Sequence, residues 1–589
     1  MDLDYDLRQT HHCGALKVDD AGKNVVLKGW VDRRRDLGNL IFVDIRDRFG
    51  KTQMVFDSSQ NAEMHKKAET LRHEFVIAVQ GLVQKRQSPN PKLPTGEIEV
   101  QAGDLRILNE AETPPISINE DGGESEDVRL RYRFLDLRRP FMQRNILLRH
   151  KVLQESRRLL SNFGFVEIDT PILMKSTPEG ARDFLVPSRM NRGKFYALPQ
   201  SPQTYKQILM VAGFGRYFQI AKCFRDEDLR ADRQPEFTQI DCELSFIAPR
   251  DIYDVFGRFI RELFRGVLDI DVGEIPRMTW QEAMDGYGCD KPDLRVDMRI
   301  HDFSEVFSAS RFKVFSNAIA GHGAVKGLLA KGCGDFSRKA TDELTGFVGK
   351  YGARGLVSLK VGDGAFEGAA AKFITPEESA LVRAMLNAHP GDMIFMVAAD
   401  RKTCGLSLGQ LRLEIARRKE WLKPDEFKFL WVTDFPMFEY SEQDKRWSST
   451  HHPFTAPLDE DVSLLHGPEY YLSRAKAYDM VLNGNEIGGG SIRIHHGGLQ
   501  SRIFELLGIN KKEAQMKFGF LLEAFKYGAP PHGGIAFGLD RLVMLMLGLD
   551  SIRDVIPFPK TTTGSSLMDD CPSTVDEEQL KELGISLRT

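Results

Sequence analysis

The sequence has no two cysteines close enough to form a metal knuckle. Its seven, Cys13, Cys223, Cys242, Cys289, Cys333, Cys404 and Cys571, are scattered and odd in number. A disulfide framework and a cysteine zinc site are thereby excluded, leaving reduced structural thiols. No long apolar run is present; the longest, Leu542 to Leu549, is far short of the ~20 residues that cross a membrane. There is no basic amino-terminal leader. Met1-Asp-Leu-Asp-Tyr-Asp6 is acidic, which suits neither a secretory signal nor a transit peptide, so a cytoplasmic protein is expected. Neither sign of charge dominates. The 80 Lys+Arg against 84 Asp+Glu leave a formal net charge of -4, which neither demands nor forbids nucleic acid, because binding needs only a local basic surface. No internal repeat is visible.

What is present is an ordinary globular composition, 42% hydrophobic and 28% charged over 589 residues. At about 150 residues per domain, roughly four domains are expected. Residues 24 to 110 read as a small β domain: Val25 to Arg33, Leu40 to Arg46 and Thr52 to Asp57 alternate apolar with polar. A helix over Asn61 to Arg72 and strands at Phe75 to Val83 and Glu97 to Val100 complete the pattern of an OB barrel. Residues 113 to 128 are rich in Pro, Gly, Asp and Glu, as in a linker. Arg129, Arg131, Arg133, Arg138 and Arg139 follow, either as a solvated face or as phosphate contacts at a hinge. Helical spacing over 141 to 163 ends at Gly164, and a strand over Phe165 to Asp169 ends at Thr170-Pro171. A Gly- and Ala-rich stretch, about 295 to 420, carries no catalytic motif and reads as an inserted domain.

Three stretches carry chemistry. Around a charged loop, the strands Arg216 to Glu227 and Phe237 to Phe246 alternate so that Arg225, Glu227, Gln239, Asp241 and Glu243 fall opposite an apolar face. That is either a half-exposed hairpin or a polar cleft for a charged substrate. In Asn485-Glu-Ile-Gly-Gly-Gly-Ser-Ile-Arg-Ile-His495, Ser491, Arg493 and His495 share a face, and the glycines allow close approach of a ligand. Asp479 and Glu486 nearby offer hard oxygens to Mg²⁺. In Gly533-Gly-Ile-Ala-Phe-Gly-Leu-Asp-Arg541, a glycine-rich strand leads into a helix that can receive a phosphate or a base. This last stretch has neither the Gly-Lys-Ser/Thr of a Walker loop nor Rossmann spacing.

Together these stretches resemble the class II aminoacyl-tRNA synthetases. Gly164 to Pro171 resembles motif 1, Phe224-Arg-Asp-Glu227 with its loop to Phe237 motif 2, and Gly534 to Arg541 motif 3, with Asp540 where many members have Glu. From end to end the chain is similar to the bacterial-type aspartyl-tRNA synthetase family. The matching stretches are Gly29 to Gly38, Arg131 to Arg139, Thr177 to Asp183, Gln200 to Gln203, Phe224 to Phe237 and His451-His-Pro-Phe454. The resemblance implies a multidomain α+β fold: an OB-fold anticodon-binding domain at 1–112 and a hinge at 113–140. A catalytic domain built on an antiparallel sheet follows, at 141–294 and 423–565. It is interrupted by an inserted α/β, GAD-like domain at 295–422 and followed by a poorly ordered tail at 566–589.

The resemblance also implies roles. Arg225, Glu227 and Arg541 would be catalytic. ATP would meet Arg225, Asp226, Glu227, Gln234, Glu486, Gly538, Leu539, Asp540 and Arg541, with Mg²⁺ on Asp479 and Glu486. Aspartate would meet Glu179, Ser201, Gln203, Lys206, Arg225, Asp241, His451, His452 and Arg493, its side-chain carboxylate held by Lys206 and Arg493. The physics agrees, because an acidic side chain needs cationic partners and Arg493 offers a planar fork. The anticodon of tRNA-Asp would meet Arg33, Arg35, Phe42, Gln53 and Glu99. Alternation turns Ile41, Val43 and Ile45 inward and leaves Phe42 on a polar face with Asp44 and Arg46, where it could stack a base. A homodimer without membrane attachment is implied. An asparagine or lysine synthetase and a non-catalytic synthetase-like protein are the rivals; Lys206 with Arg493 argues against the first two, and Arg225, Glu227, Glu486 and Arg541 against the third. Members that also charge tRNA-Asn tend to have His where this chain has Leu37, which leans towards tRNA-Asp alone.

Overall fold

The computed structural model describes residues 7–119, 123–176, 181–442 and 445–587. They form two compact units. One comprises the described residues up to 147 with 557–561 and 565–572; the other comprises the described residues of 148–556 with 562–564 and 573–587.

In the first unit, the strands Asn24–Asp36, Leu40–Asp47, Gly50–Asp57, Val76–Lys85 and Ile98–Asn109 close into a barrel. All ladders are antiparallel except one: the last strand lies parallel to Gly50–Asp57. The fifth strand runs well beyond Val100, the end expected from sequence. Ile41, Val43 and Ile45 are fully buried, as their alternation requires. Four of the five clustered arginines are paired with carboxylates, and Arg131 is exposed. Arg133 and Arg139 are buried and pair with Asp136 at 2.6 Å and Glu124 at 2.7 Å. Arg138 reaches Glu74 at 2.6 Å, and Arg129 reaches Asp136 at 3.1 Å.

The second unit is built on an eight-stranded sheet. Its order is Arg277–Thr279, Phe429–Thr433, Ala477–Leu482, Asn485–Ile492, His532–Gly538, Glu236–Ser245, Arg216–Phe224 and Val166–Glu167. The six central strands are antiparallel, and each edge strand pairs in parallel. The helix Pro249–Leu268 covers one face, with Phe256 and Phe259 against Phe537. The expected strand at Phe165 to Asp169 is only two residues long.

The segment between the two halves of this sheet forms a sheet of its own. Its order is Ile300–Asp302, Ala324–Ala330, Met393–Ala399, Val357–Val361 and Phe366–Glu367, all antiparallel. The end of the chain is more ordered than expected: residues 565–572 belong to the first unit, and Glu577–Leu583 is helical. Five of the seven cysteines are buried and all are free. No described helix is long and apolar enough to cross a membrane.

Candidate active site and nucleic-acid interface

Alternation along the strand Glu236–Ser245 sends Ile240, Cys242 and Leu244 into the core beside the helix Pro249–Leu268 and turns Asp241 and Glu243 to the other face. There the helix Gln203–Val211 delivers Lys206, whose Nζ donates to Asp241 Oδ1 at 2.6 Å and lies 3.4 Å from Glu243 Oε2. Arg493, just past the strand Asn485–Ile492, donates Nε and Nη2 to the two oxygens of Glu243 at 3.0 and 3.3 Å, and Nη1 to Ser491 Oγ at 2.7 Å. All four charged groups are buried. Gly534 makes room for the network, since a Cβ there would collide with the Glu243 carboxylate.

Lys206 and Arg493, the residues expected to hold a ligand carboxylate, do not stand free. Each already has a carboxylate of the protein beside it, and the four charges balance. Burial pushes the Glu243 carboxyl up, but Arg493 and Lys206 together hold it below its ordinary value. Burial outweighs Lys206 at Asp241, whose carboxyl is raised. Asp241 Oδ2 has no hydrogen-bond partner.

It is not alone. Gln203 Nε2, Arg225 Nε, His451 Nδ1 and Arg541 Nε are also buried without a partner. Gln203, Arg225, Asp241 and His451 line one cleft with Ser201, Lys206, His452, Asp479, Glu486, Ser491 and Arg493. A buried polar atom left open costs about 1–3 kcal/mol. Several in one cleft mark a place shaped for a polar ligand.

Arg225 follows the strand Arg216–Phe224. Its N–H donates to Pro235 O at 2.9 Å and its guanidinium lies 5.1 Å over the Phe237 ring. Glu227 pairs with Arg233 at 3.0 Å, Gln234 is buried, and Asp226 is exposed. Arg541, in the first turn of the helix Leu539–Met546, donates Nη1 to Glu486 O at 2.6 Å and Nη2 to Asp232 Oδ2 at 3.2 Å. Two neighbours expected to contact ATP have their side chains elsewhere. Leu539 is in the hydrophobic core. Asp540 is buried, accepts the Thr238 N–H at 2.8 Å, and pairs with Arg149. It is a structural joint between that helix and the sheet. A Cβ at Gly538 would lie 4.0 Å from Arg541 Cβ and Ile487 O, ordinary contact distance.

Of the three consecutive glycines, Gly488 meets the Phe537 ring and Gly490 the Gly534 backbone, so both serve close packing within the sheet. Gly489 differs. A Cβ there would sit 2.7 Å from Asp479 Oδ1 and 3.2 Å from Glu486 Oε1, so both carboxylates reach over it. The charge of Asp479, then burial, raise the Glu486 carboxyl. His451 Nε2 lies 3.5 Å from Asp479 Oδ1; burial would lower its pKa, but the hydrogen bond and charge of Asp479 raise it. Two hard, mutually repelling carboxylates over one glycine fit the chemistry of Mg²⁺, which takes one or two carboxylates and completes its shell with water and phosphate oxygens. His452 accepts the Phe454 N–H at 3.2 Å. Glu179 lies outside the described residues.

The barrel carries a second, separate constellation. Arg35 Nη2 donates to Gln53 Oε1 at 2.7 Å, and Gln53 Nε2 donates to Glu99 Oε2 at 2.7 Å. The Arg35 guanidinium lies 5.6 Å over the Phe42 ring, and Arg33 is exposed beside it. Phe42 is half-buried rather than exposed, and Arg46 does not share a polar surface with it. Arg46 is buried with Asp32 at 3.1 Å and with Glu74. Sequence reasoning missed Arg86, whose Nε and Nη2 are buried without hydrogen-bond partners, near Asp44 Oδ1, which lies 3.6 Å from Arg35 Nη2. It also gave no role to Glu243, although alternation with Asp241 had placed it on the right face.

This arrangement has a counterpart among known proteins. A family model for tRNA synthetases of class II (D, K and N) matches residues 125–562, and one for the OB-fold nucleic acid binding domain matches residues 25–108. The chain belongs to the class II tRNA synthetases, ligases that form aminoacyl-tRNA. Solved structures share the fold: asparaginyl-tRNA synthetase from Pyrococcus horikoshii complexed with asparaginyl-adenylate has a TM-score of 0.59 at 19% identity, covering 94% of this chain and 98% of that one. Aspartyl tRNA synthetase from Entamoeba histolytica has a TM-score of 0.56 at 18% identity, covering 94% and 91%. Within the class, the chain falls in the aspartate–tRNA ligase family. It is 54% identical to the aspartate–tRNA(Asp/Asn) ligase of Caldanaerobacter subterraneus subsp. tengcongensis, across 99% of this chain and 98% of the relative. It is 53% identical to the aspartate–tRNA ligase of Ruminiclostridium cellulolyticum, over the same shares.

Proposed function

We propose that the chain activates L-aspartate with ATP and transfers it to the 3′ end of tRNA-Asp. The observation that carries this reading is the buried quartet Lys206, Asp241, Glu243 and Arg493, with Asp241 Oδ2 and Gln203 Nε2 left open beside it. Asp241 Oδ2 accepts the substrate ammonium, helped by Glu179, Ser201 and Gln203. Arg493 and Lys206 hold the side-chain carboxylate, with Glu243 fixing the plane of the Arg493 fork. This directs the substrate α-carboxylate at the α-phosphate. Arg225 stabilises the charge that develops there, and Glu227 and Gln234 position the adenosine. Arg541 and the backbone at Gly538 take the far phosphates. Asp479 and Glu486 would hold Mg²⁺, which when bound neutralises polyphosphate charge. His451 and His452 cover the site. Catalysis is positioning plus preorganised charge, with no covalent participation by the protein.

Arg33, Arg35, Phe42, Gln53 and Glu99 read the anticodon. The edge strand Val166–Glu167, with Val166, Ile172 and Leu173 exposed beside Pro171, supports a homodimer, which sedimentation tests. Aspartate-dependent exchange of pyrophosphate into ATP, followed by charging of purified tRNA-Asp, tests the activity; a chain that binds ATP but gives no exchange would be a non-catalytic relative. Charging of tRNA-Asn as well is the second reading. The names of several relatives favour it. Leu37, exposed in the loop between the first two barrel strands, favours tRNA-Asp alone. Charging the two purified tRNAs side by side decides between them.

A further inference from the structure

The helix Pro249–Leu268 buries Ile252, Phe256, Phe259, Ile260 and Leu263 in the core. Its other face looks away from the catalytic cleft. A groove of about 430 Å³ lies there, between the helix and residues 274–277, with the buried Trp431 and half-buried Tyr253 in its lining. That volume is ordinary for a small-ligand site. Arg250, Arg258, Arg261 and Arg277 line the groove, against Asp254 and Glu274. Four cations and two anions leave a surplus of two positive charges. Glu262 holds Arg258 at 2.6 Å, and Asp271 is held by Arg265 at 2.7 Å. Among the described residues, the guanidinium groups of Arg250, Arg261 and Arg277 have no hydrogen bond or ion pair. Arg277 only lies over the Tyr253 ring at 5.3 Å. Burial, then the charge of Asp434, push the Tyr253 phenol up to about 12, so it keeps its proton at neutral pH as a donor. Gly257 also lines the groove, and nothing lies within 4 Å of where its Cβ would be. Glycine weakens a helix interior. Here the missing side chain relieves no clash; it keeps the groove open.

We propose that this groove binds a polyphosphate anion, either an inorganic chain or the polyphosphate tail of a nucleotide. The planar fork of arginine matches phosphate oxygens two at a time. Arg250 and Arg261 stand about 16 Å apart along the helix axis. A single phosphate cannot meet both, whereas a chain of phosphates can run from one to the other past Arg258. Such a chain carries charge on every unit, dense enough to outweigh Asp254 and Glu274. Tyr253 donates its O–H to one of the oxygens. The site lies on a face of the catalytic unit that the ligase reading does not use, so the inference goes beyond that reading.

The test is equilibrium dialysis of inorganic tripolyphosphate, and separately of ATP, against the full chain. The variants are Arg261→Gln combined with Arg277→Gln, Gly257→Leu, and Arg265→Gln. Wild type should bind one equivalent of at least one of these anions beyond whatever the catalytic cleft holds, and the tighter anion names the source. The double arginine variant should weaken that equivalent by roughly 5- to 30-fold, the scale of two exposed charge pairs. Gly257→Leu should abolish it by filling the groove. Arg265→Gln removes the same charge from the same helix outside the groove, and should leave the equivalent intact. Pyrophosphate exchange should be unchanged in all variants, because none touches the cleft. No additional equivalent in wild type overturns the proposal. So does equal weakening by Arg265→Gln, which would reduce the effect to net charge, or normal binding in both groove variants. Purified tRNA that displaces the anion from wild type, and is itself weakened by the same factor in the double arginine variant, would make the groove a nucleic-acid contact and overturn the assignment to a small anion.

Discussion

Arg493→Leu separates the structural role of Arg493 from the substrate role proposed for it. Arg493 makes a bidentate pair with Glu243 and a bond to Ser491, all out of solvent. Removing it leaves Glu243 with Lys206 alone, at 3.4 Å. Breaking a buried pair from one side costs about 3–5 kcal/mol, most of it the penalty of the abandoned charge. The variant should therefore unfold at a lower temperature than wild type. It should also lose aspartate activation by roughly 10²–10³-fold, as a charge partner of the substrate carboxylate disappears.

A loss of activity alone would not show which role was lost, so a second variant is needed. Arg493→Leu combined with Glu243→Gln removes the abandoned charge. The double variant should regain most of the thermal stability and none of the aspartate selectivity. Selectivity is the decisive quantity. Aspartate and asparagine are nearly isosteric, and sites built on specific polar partners reject analogues that leave those partners unpaired by roughly 10⁴–10⁵. The assay is pyrophosphate exchange with each amino acid, for wild type, single and double variants. Both variants should show a collapsed ratio. A single variant that is slow yet keeps its full preference for aspartate would refute the reasoning and move side-chain recognition to Lys206 or elsewhere.

Arg225→Ala should leave the unfolding transition in place and lower exchange by roughly 10²-fold or more; near-normal exchange removes Arg225 from the reaction. Phe42→Ala should weaken charging of tRNA by about 1–3 kcal/mol while exchange without tRNA stays intact, and a parallel fall in both would mean that the barrel itself is damaged. Asp540→Ala should act on stability, lowering the unfolding midpoint by the equivalent of about 3–5 kcal/mol as Arg149 and the Thr238 N–H lose their acceptor; a normal midpoint with a raised KM for ATP would restore Asp540 to the nucleotide site. A thiol reagent at pH 8 should label the exposed Cys571 first. Burial pushes the Cys223 thiol up to about 12, which leaves about one molecule in 10⁴ as the reactive thiolate at that pH; rapid labelling of Cys223 in the native protein would contradict its burial.

The parts of this fold legible in the sequence are those with a strict period. Alternation at Ile41, Val43 and Ile45 fixes the inside of the barrel, and alternation at Ile240, Cys242 and Leu244 fixes the helix side of the catalytic sheet. The same rule puts Asp241 and Glu243 together on the opposite face. Periodicity does not say which charged side chain will find a partner, because partners come from distant segments. The pairing of Arg493 with Glu243 could not be read because the two are 250 residues apart in sequence. Asp540 read as a nucleotide ligand because its joint with Arg149 spans 391 residues. The partners of Arg138 and Arg139 were hidden because Glu74 and Glu124 lie outside the cluster. Glycine is ambiguous for a related reason: Gly488, Gly489 and Gly490 are identical in sequence, and only their cross-strand neighbours distinguish the one beneath two carboxylates from the two that pack the sheet.

The quartet at the centre of the catalytic sheet is a poor way to stabilise a fold. Apolar side chains of the same volume would serve as well or better, since the desolvation of four charges cancels most of their attraction. What the quartet supplies is a neutral, rigid frame with one oxygen of Asp241 left over. In the proposed binding mode an incoming aspartate adds a side-chain carboxylate beside two cations and an ammonium beside that oxygen, so the balance of charge is kept. A lysine side chain would bring another cation against Lys206 and Arg493. Asparagine would set an amide NH₂ against groups that only donate. The same balance fixes a pH dependence. Burial raises the Asp241 carboxyl above its ordinary value, so the folded protein gains from its protonation. That contribution is present at low pH and fades as pH rises through the raised value. Substrate binding runs the other way, because only the ionised carboxyl holds the ammonium. Affinity for aspartate therefore strengthens over the pH range in which Asp241 ceases to favour folding, and the site is best formed for its ligand where the empty protein gains least from it.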